Sequence, residues 1–365
     1  MKIAYDPQIF SGQIYGGVSR YVCEIANRIS QHSDVSVKIA APMYVNAYLE
    51  NVPKEVLTGF KSPFPYEFLR LYQRASSMLL GDVVLRYMKP DIIHETYYFK
   101  YPLGSKCSSR VLTIYDMIHE KFESQFQYED KTAKHKAAAA ARADHIICIS
   151  EATKIDVMDI LGIKPEKITV IHLGFDLMTS PHSFVGHAGR DYLLYVGTRG
   201  GYKNFLPMLE AYASSETLRS KYDLICFGGG AFNADELKTI DTLNLNPKNV
   251  IQLSGDDALL ANHYKNASAF VFPSLYEGFG IPPLEAMSYG CPVVCSNTSS
   301  IPEVVGDAGQ YFDPYDKKSM QEAIVMVINS SELRNSLIVK GYLRLKEFSW
   351  DKCANATLNV YKSLL

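Results

Sequence analysis

Short runs dominated by apolar residues recur along this chain, each followed by a glycine-bearing or polar turn and then a stretch with helical spacing. A strand covered on both faces has no polar side, so such runs belong to parallel sheets with helices packed above and below. In the front half they are Lys2–Tyr5, Val35–Ala40, Asp91–His94, Val111–Ile114, His145–Ile149 and Ile168–His172. The pattern then restarts at Tyr192–Val196 and continues through Asp223–Phe227, Val250–Leu253, Ala269–Phe272 and Pro292–Cys295. Alternation of strand with helix in both halves predicts an α/β chain of two parallel layers. With 365 residues it exceeds one ordinary core and suits two domains. Residues 177–190, LMTSPHSFVGHAGR, lack periodicity and read as the linker between 1–176 and 191–349, and 350–365 reads as an amphipathic terminal helix.

The stretch richest in chemistry is ASAFVFPSLYEGFGIPPLEAMSYGCPVVCSNTSSIPEV, residues 267–304. A buried strand ends at Pro273, and a loop follows that holds Glu277, Gly278, Phe279 and Gly280. Ile281, Pro282 and Pro283 then suit the first turn of a helix, where a missing N–H costs nothing, and that helix carries Glu285. Unpaired amides at a helix start favour an anion. Carboxylates repel phosphate, so the two glutamates fit better as acceptors for sugar hydroxyls. Anion-binding amides beside hydroxyl-accepting carboxylates suit a nucleotide diphosphate sugar.

Glu277-Gly-Phe-Gly-Ile-Pro-Pro-Leu-Glu285, with Pro292-Val-Val, Ile301-Pro-Glu303 and Gly306-Asp-Ala-Gly309, resembles the signature of retaining glycosyltransferases of family four. That resemblance implies the GT-B fold: α/β, two Rossmann-like parallel-sheet domains facing each other across a cleft, acceptor on the first and nucleotide sugar on the second. It implies that Glu285 accepts both ribose hydroxyls and Glu277 a hydroxyl of the transferred sugar. Lys203 and, slightly displaced, Arg199 look like the family's phosphate-binding cations. Gly16 and Gly17 sit where the family places a loop facing the donor diphosphate, with an ordinary tight turn as the alternative. Gly228 and Gly229, followed by Gly230, close the strand ending at Phe227 and should abut the nucleotide. Ser254, Gly255 and Asp256 fall where the family contacts the base. Many members carry a histidine at the position of Tyr115. This chain departs there, and Asp116 or His119 is expected to take over that catalytic role. Retention without a placed carboxylate nucleophile favours front-face attack, the departing phosphate taking the acceptor's proton.

The donor is expected to be GDP-mannose, with a UDP-sugar next, and the acceptor a glycan or lipid-linked glycan of cell-surface polysaccharide. No cofactor is expected beyond that co-substrate. No D-x-D and no His/Cys cluster at metal spacing occurs, so fixed cations and amides are expected in place of a divalent ion. A net charge of −2 without a basic run argues against nucleic acid. The seven scattered cysteines read as small apolar residues in a reducing compartment. MKIAYDPQIF has no basic flank before a long apolar core, so a cytoplasmic protein is expected, at most resting on the inner face of a membrane. For that contact the candidate is 59–75, where Phe60, Phe64, Tyr66, Phe68 and Tyr72 are interleaved with Lys61, Arg70 and Arg74. The alternatives are a GT-B-fold epimerase or phosphorylase, a noncatalytic sugar-nucleotide binder, and a periplasmic sugar-binding protein, the last needing an export signal.

Overall fold

The computed structural model describes residues 1–63, 66–176 and 190–365, and for 66–70 the backbone alone. The linker reading thus lies, up to residue 189, outside the described residues, as do Phe64 and the side chains of Tyr66, Phe68 and Arg70. Contacts divide the chain into Met1–Gly174 with Phe348–Leu365, and Phe175–Glu347.

The first unit holds a seven-stranded sheet: β1 (Lys2–Tyr5), β2 (Ser36–Tyr44), β3 (Leu57–Lys61), β4 (Ile92–Glu95), β5 (Ser109–Ile114), β6 (His145–Cys148) and β7 (Ile168–Val170). Every pairing is parallel and the order is β3-β2-β1-β4-β5-β6-β7. Its central strands, β4 and β5 among them, are buried on both faces because helices cover them. In Gly17–Ile29, for example, Tyr21, Val22, Ile25, Ala26 and Ile29 recur at helical spacing, and all are buried. The helix Trp350–Lys362 packs on Gly17–Ile29 within this unit.

The second unit holds β8 (Tyr192–Val196), β9 (Asp223–Phe227), β10 (Val250–Leu253), β11 (Ala269–Phe272), β12 (Val293–Ser296) and β13 (Gly309–Phe312), ordered β10-β9-β8-β11-β12-β13. All these pairings are parallel too. Both sheets are Rossmann-like, and in each the strand order reverses beside the first strand. Ligands of open parallel sheets bind outside the carboxyl ends of the strands at that reversal. In the second unit the reversal lies between β8 and β11, so the loops after Val196 and Phe272 are the ones favoured.

The first unit buries titratable groups. The His94 ring pairs through Nδ1 with Tyr361 Oη at 2.5 Å and through Nε2 with Thr113 Oγ1 at 2.9 Å. Burial pushes its pKa down from 6.5 to about 3. The folded state thus favours neutral imidazole, and His94 withdraws stability as pH falls from 6.5 towards 3. Asp6 opposes it. Burial, and then the charge of Glu95, raise its carboxyl from 3.8 to about 6, so it returns stability as pH falls from 6 towards 3.8. Asp6→Asn removes this compensation. The variant should then lose about 2 kcal/mol between pH 7 and pH 5, more than the parent protein loses, as read by urea unfolding at both values. Identical losses in the two proteins would show that Asp6 does not titrate there.

Candidate active site

The loops after β8 and β11 are stitched together. The Leu275 N–H donates to the carbonyl of Tyr202 at 2.8 Å, and next to Tyr202 the Lys203 Nζ donates to Glu277 Oε1 at 2.7 Å. The two side chains are 21% and 12% exposed, so the pair is shielded yet reachable. Lys203 closes a single 3-10 turn, Gly201–Lys203, before the helix Phe205–Ser214. Asn204 between them is left-handed at φ 59° and is anchored through Nδ2 to the Pro314 carbonyl at 2.8 Å.

Glu277 is also held by its backbone. The hydroxyls of Ser299 and Ser300 donate to its carbonyl at 2.7 and 2.9 Å, and Ser300 reaches the Phe279 carbonyl at 2.9 Å. These two serines carry no signal of their own in the sequence beyond a polar cluster after a buried strand. Gly278 and Phe279 are buried, and Gly280 leads into the helix Ile281–Ser288. Two of that helix's first three residues, Pro282 and Pro283, have no N–H, so its start offers fewer anion donors than the usual four. Glu285 lies one turn into it and accepts from Tyr264 Oη at 3.0 Å. Tyr264 is wholly buried, stacked beside Tyr289, and orients that carboxylate.

Arg199 sits apart from the role expected of it. It is 6% exposed and its guanidinium is engaged by Glu236 Oε1 at 2.9 Å and by the carbonyls of Gly228, Gly230 and Ala231 at 2.8, 2.9 and 3.0 Å. Rather than extending towards a phosphate, it anchors the turn after β9, because a buried carboxylate on the helix Ala234–Thr242 draws it inward. Asp256 has a structural task as well, capping the helix Asp257–Asn266 through Leu259 N–H at 2.8 Å. Ser254 and Gly255 are exposed beside it, and Ser254 Oγ takes a hydrogen bond from Gln252 Nε2 at 2.9 Å.

On the first unit, Gly16 precedes the helix that Gly17 opens, and Gly17 is exposed. Tyr115, at the position of the family histidine, is buried edge-on against Tyr21. Asp116 Oδ1 accepts from Ile118 N–H at 3.0 Å, and its carbonyl takes Lys136 Nζ at 2.7 Å. Lys136 is fully buried and also binds Glu120 at 2.8 Å. In the sequence KTAKHKAAAAAR nothing sets it apart from Lys131 and Lys134. His119 stacks on Phe126 with ring centroids 4.1 Å apart, its Nε2 3.5 Å from Asp130. Among the described residues no group of histidine, cysteine and carboxylate side chains is arranged to hold a metal ion. The cysteines are free, and all but Cys107 are buried.

Two parallel Rossmann-like units, each with its strand order reversing beside its first strand, are the architecture of the GT-B fold. The family model for glycosyl transferases group 1 matches residues 183–344 and that for glycosyltransferase family 4 matches 15–178. The chain belongs to this family. It is 40% identical over 180 residues to the O-antigen chain mannosyltransferase B of Escherichia coli, covering 48% of this chain and 47% of that one. It spans about half or less of the length of the first curated relatives that it matches. Sucrose-phosphate synthase from Thermosynechococcus elongatus superposes with a TM-score of 0.72 at 20% identity, over 100% of this chain and 99% of that one. HepE of Anabaena, solved with UDP and glucose, gives 0.70 at 19% over 100% of both chains.

Proposed function

We propose that this chain is a retaining glycosyltransferase that moves a hexose from a nucleotide diphosphate sugar to a glycan or lipid-linked acceptor in O-antigen-type polysaccharide synthesis. GDP-mannose is the favoured donor and a UDP-sugar the next. The carrying observation is the Lys203–Glu277 pair in the loops after β8 and β11. The mannosyltransferase relative supports the sugar, and the UDP and glucose bound by HepE support the type of donor.

In this reading the second unit binds the donor and the first the acceptor. Glu285, held by Tyr264, takes the ribose hydroxyls. Glu277 takes a hydroxyl of the sugar, and Lys203 moves onto the phosphate. The acceptor oxygen attacks the anomeric carbon on the face from which the phosphate leaves. The C–O bond to phosphate breaks with its electron pair on the phosphate, which receives the acceptor's proton. Lys203 and peptide N–H groups stabilise the extra negative charge, the part a divalent ion plays in other transferases. On the first unit Asp116 and His119, their side chains 29% and 22% exposed, are the candidates for the missing histidine's role. Arg199 is withdrawn from the phosphate.

Thermal-shift titration with GDP-, UDP- and dTDP-sugars tests the reading. One nucleotide should raise the melting temperature by several degrees at 100 times its dissociation constant, where linkage contributes roughly 2.7 kcal/mol. No shift with any of them defeats it.

A peripheral membrane contact belongs to the same proposal. No described helix is long and apolar enough to cross a bilayer. The helix Tyr66–Met88 nevertheless leaves Tyr72, Leu79, Val83 and Tyr87 exposed, at 63%, 71%, 58% and 87%, along one stripe, with the exposed Arg86, paired to Asp82, one turn from Val83. Such a face suits the headgroup region of an anionic leaflet. Leu79→Asp with Val83→Asp should abolish co-sedimentation with phosphatidylglycerol vesicles without lowering the melting temperature. Unchanged sedimentation removes the contact.

A further inference from the structure

Gly228, Gly229 and Gly230 lie consecutively at φ 87°, 70° and 74°, a run of left-handed backbone that side-chain-bearing residues rarely sustain. What holds it is Arg199. Its Nη1 donates to the Gly228 carbonyl at 2.8 Å, and its Nη2 faces the carbonyls of Gly229, Gly230 and Ala231 at 3.5, 2.9 and 3.0 Å. Glu236 binds the same guanidinium through both oxygens, at 2.9 and 3.3 Å, and the rings of Phe232 and Phe205 lie 4.8 and 5.8 Å from its carbon. Glu236 is itself fixed, because its Oε2 accepts from Asn233 N–H at 2.7 Å.

This arrangement has a consequence in peptide geometry. A trans peptide points its N–H opposite its C=O, and no cis bond occurs among the described residues. Four successive carbonyls turned in to one guanidinium therefore turn out the four N–H groups of Gly229, Gly230, Ala231 and Phe232. None of these four meets an acceptor among the described residues, and the first three residues are exposed. Successive outward N–H groups make an anion-binding concavity. The inner charge does not carry the attraction, since Glu236 neutralises Arg199.

We propose that the Gly229–Phe232 amides are a binding site for phosphoryl oxygen, and that Arg199 with Glu236 is the positioning pair that builds it. This deepens the donor reading above, and rests on it for the source of the phosphate: the diphosphate of the nucleotide sugar. It also supplies the N–H donors that Pro282 and Pro283 withhold at the start of the Glu285 helix.

The experiment is titration of the full-length ¹⁵N-labelled protein with GDP, UDP or inorganic pyrophosphate. The amide resonances of Gly229, Gly230, Ala231 and Phe232 should move together. Arg199→Met alone would strand a buried glutamate, so the informative variant is R199M/E236L, which leaves neither charge unpaired. It should melt close to the parent protein yet bind the same ligand about tenfold more weakly or worse, with the four amides unmoved. Arg199→Lys, which keeps the charge but not the fork, should fall between the two. A nucleoside diphosphate that binds and perturbs Lys203 while these amides stay still overturns the phosphate site and leaves the donor reading standing. Pyrophosphate that moves them where no nucleoside diphosphate binds supports the site and defeats the donor reading. A double variant that folds and binds as tightly as its parent overturns the positioning role.

Discussion

Lys203→Ala is expected to slow sugar transfer a hundredfold or more, on the order of 3 kcal/mol of transition-state stabilisation. The charge that appears when the anomeric C–O bond breaks lies on the departing phosphate, and a fixed ammonium is worth most where water is partly excluded. Lys203 is 21% exposed, and its Nζ lies 2.7 Å from Glu277 Oε1. On the proposed reading the loss should fall on kcat more than on KM, because Glu285 and contacts to the base would hold the nucleotide. Lys203→Arg should restore part of the rate, since a cation is retained but its planar fork fits the Glu277 carboxylate differently. Glu277→Gln tests the partner. It should weaken the intact sugar nucleotide while leaving the affinity for the free nucleoside diphosphate near that of the parent. The double variant should lose less than the sum of the two singles, as groups in direct contact do. Turnover by Lys203→Ala within threefold of the parent would show that the pair is a structural salt bridge and that charge stabilisation comes from another group.

That Lys203 and Glu277 come together is legible from the chain, and that Arg199 turns inward is not, for a physical reason. Each of the first two follows a strand whose apolar run is plain in the sequence, and the carboxyl ends of parallel strands are where ligands sit. Arg199 follows the same strand, but its orientation is decided by Glu236, a residue 37 positions along the chain on a helix of another turn. Spacing beside Lys203 cannot register that partner. Lys136 is hidden in the same way: it sits among alanines that read as helix, and only the fold places Asp116 and Glu120 around its amine. The strands divide similarly. Central β11 is buried at every position and shows as the apolar run AFVF, while β4, buried as fully, shows only through Ile92 and Ile93 before His94 and Glu95. The edge strand β3, Leu57–Lys61, is exposed over its last three residues and gives no such run, so the stretch from Gly59 reads instead as the beginning of an aromatic and basic surface. β13, Gly309–Phe312, is buried only at its end and escapes for the same reason.

Tyr361→Ala should destabilise the first unit by about 3–5 kcal/mol, the usual range for deleting a large buried ring. Tyr361 is fully buried on the helix Trp350–Lys362, its hydroxyl 3.1 Å from that of Tyr5 and 2.5 Å from His94 Nδ1. The alanine variant leaves a cavity and deprives His94 of one partner in a place where burial already keeps its ring neutral. Tyr361→Phe separates the two contributions. It keeps the ring and removes the hydroxyl, so its loss should be nearer 1–3 kcal/mol, the range for a buried polar group left unpaired. The helix cannot slide to fill the gap, because Gly174 abuts its first residue. A Cβ on Gly174 would lie 2.4 Å from the Trp350 nitrogen and 2.5 Å from its Cα, so the backbones already touch. That contact also supplies the measurement. Trp350 is the chain's single tryptophan, so urea unfolding followed by its fluorescence reports on the unit that contains Tyr361. The midpoint should move sharply for alanine and less for phenylalanine. An alanine variant whose tryptophan transition coincides with that of the parent would mean that this helix contributes nothing to the unit's stability, and that the first sheet holds together without it.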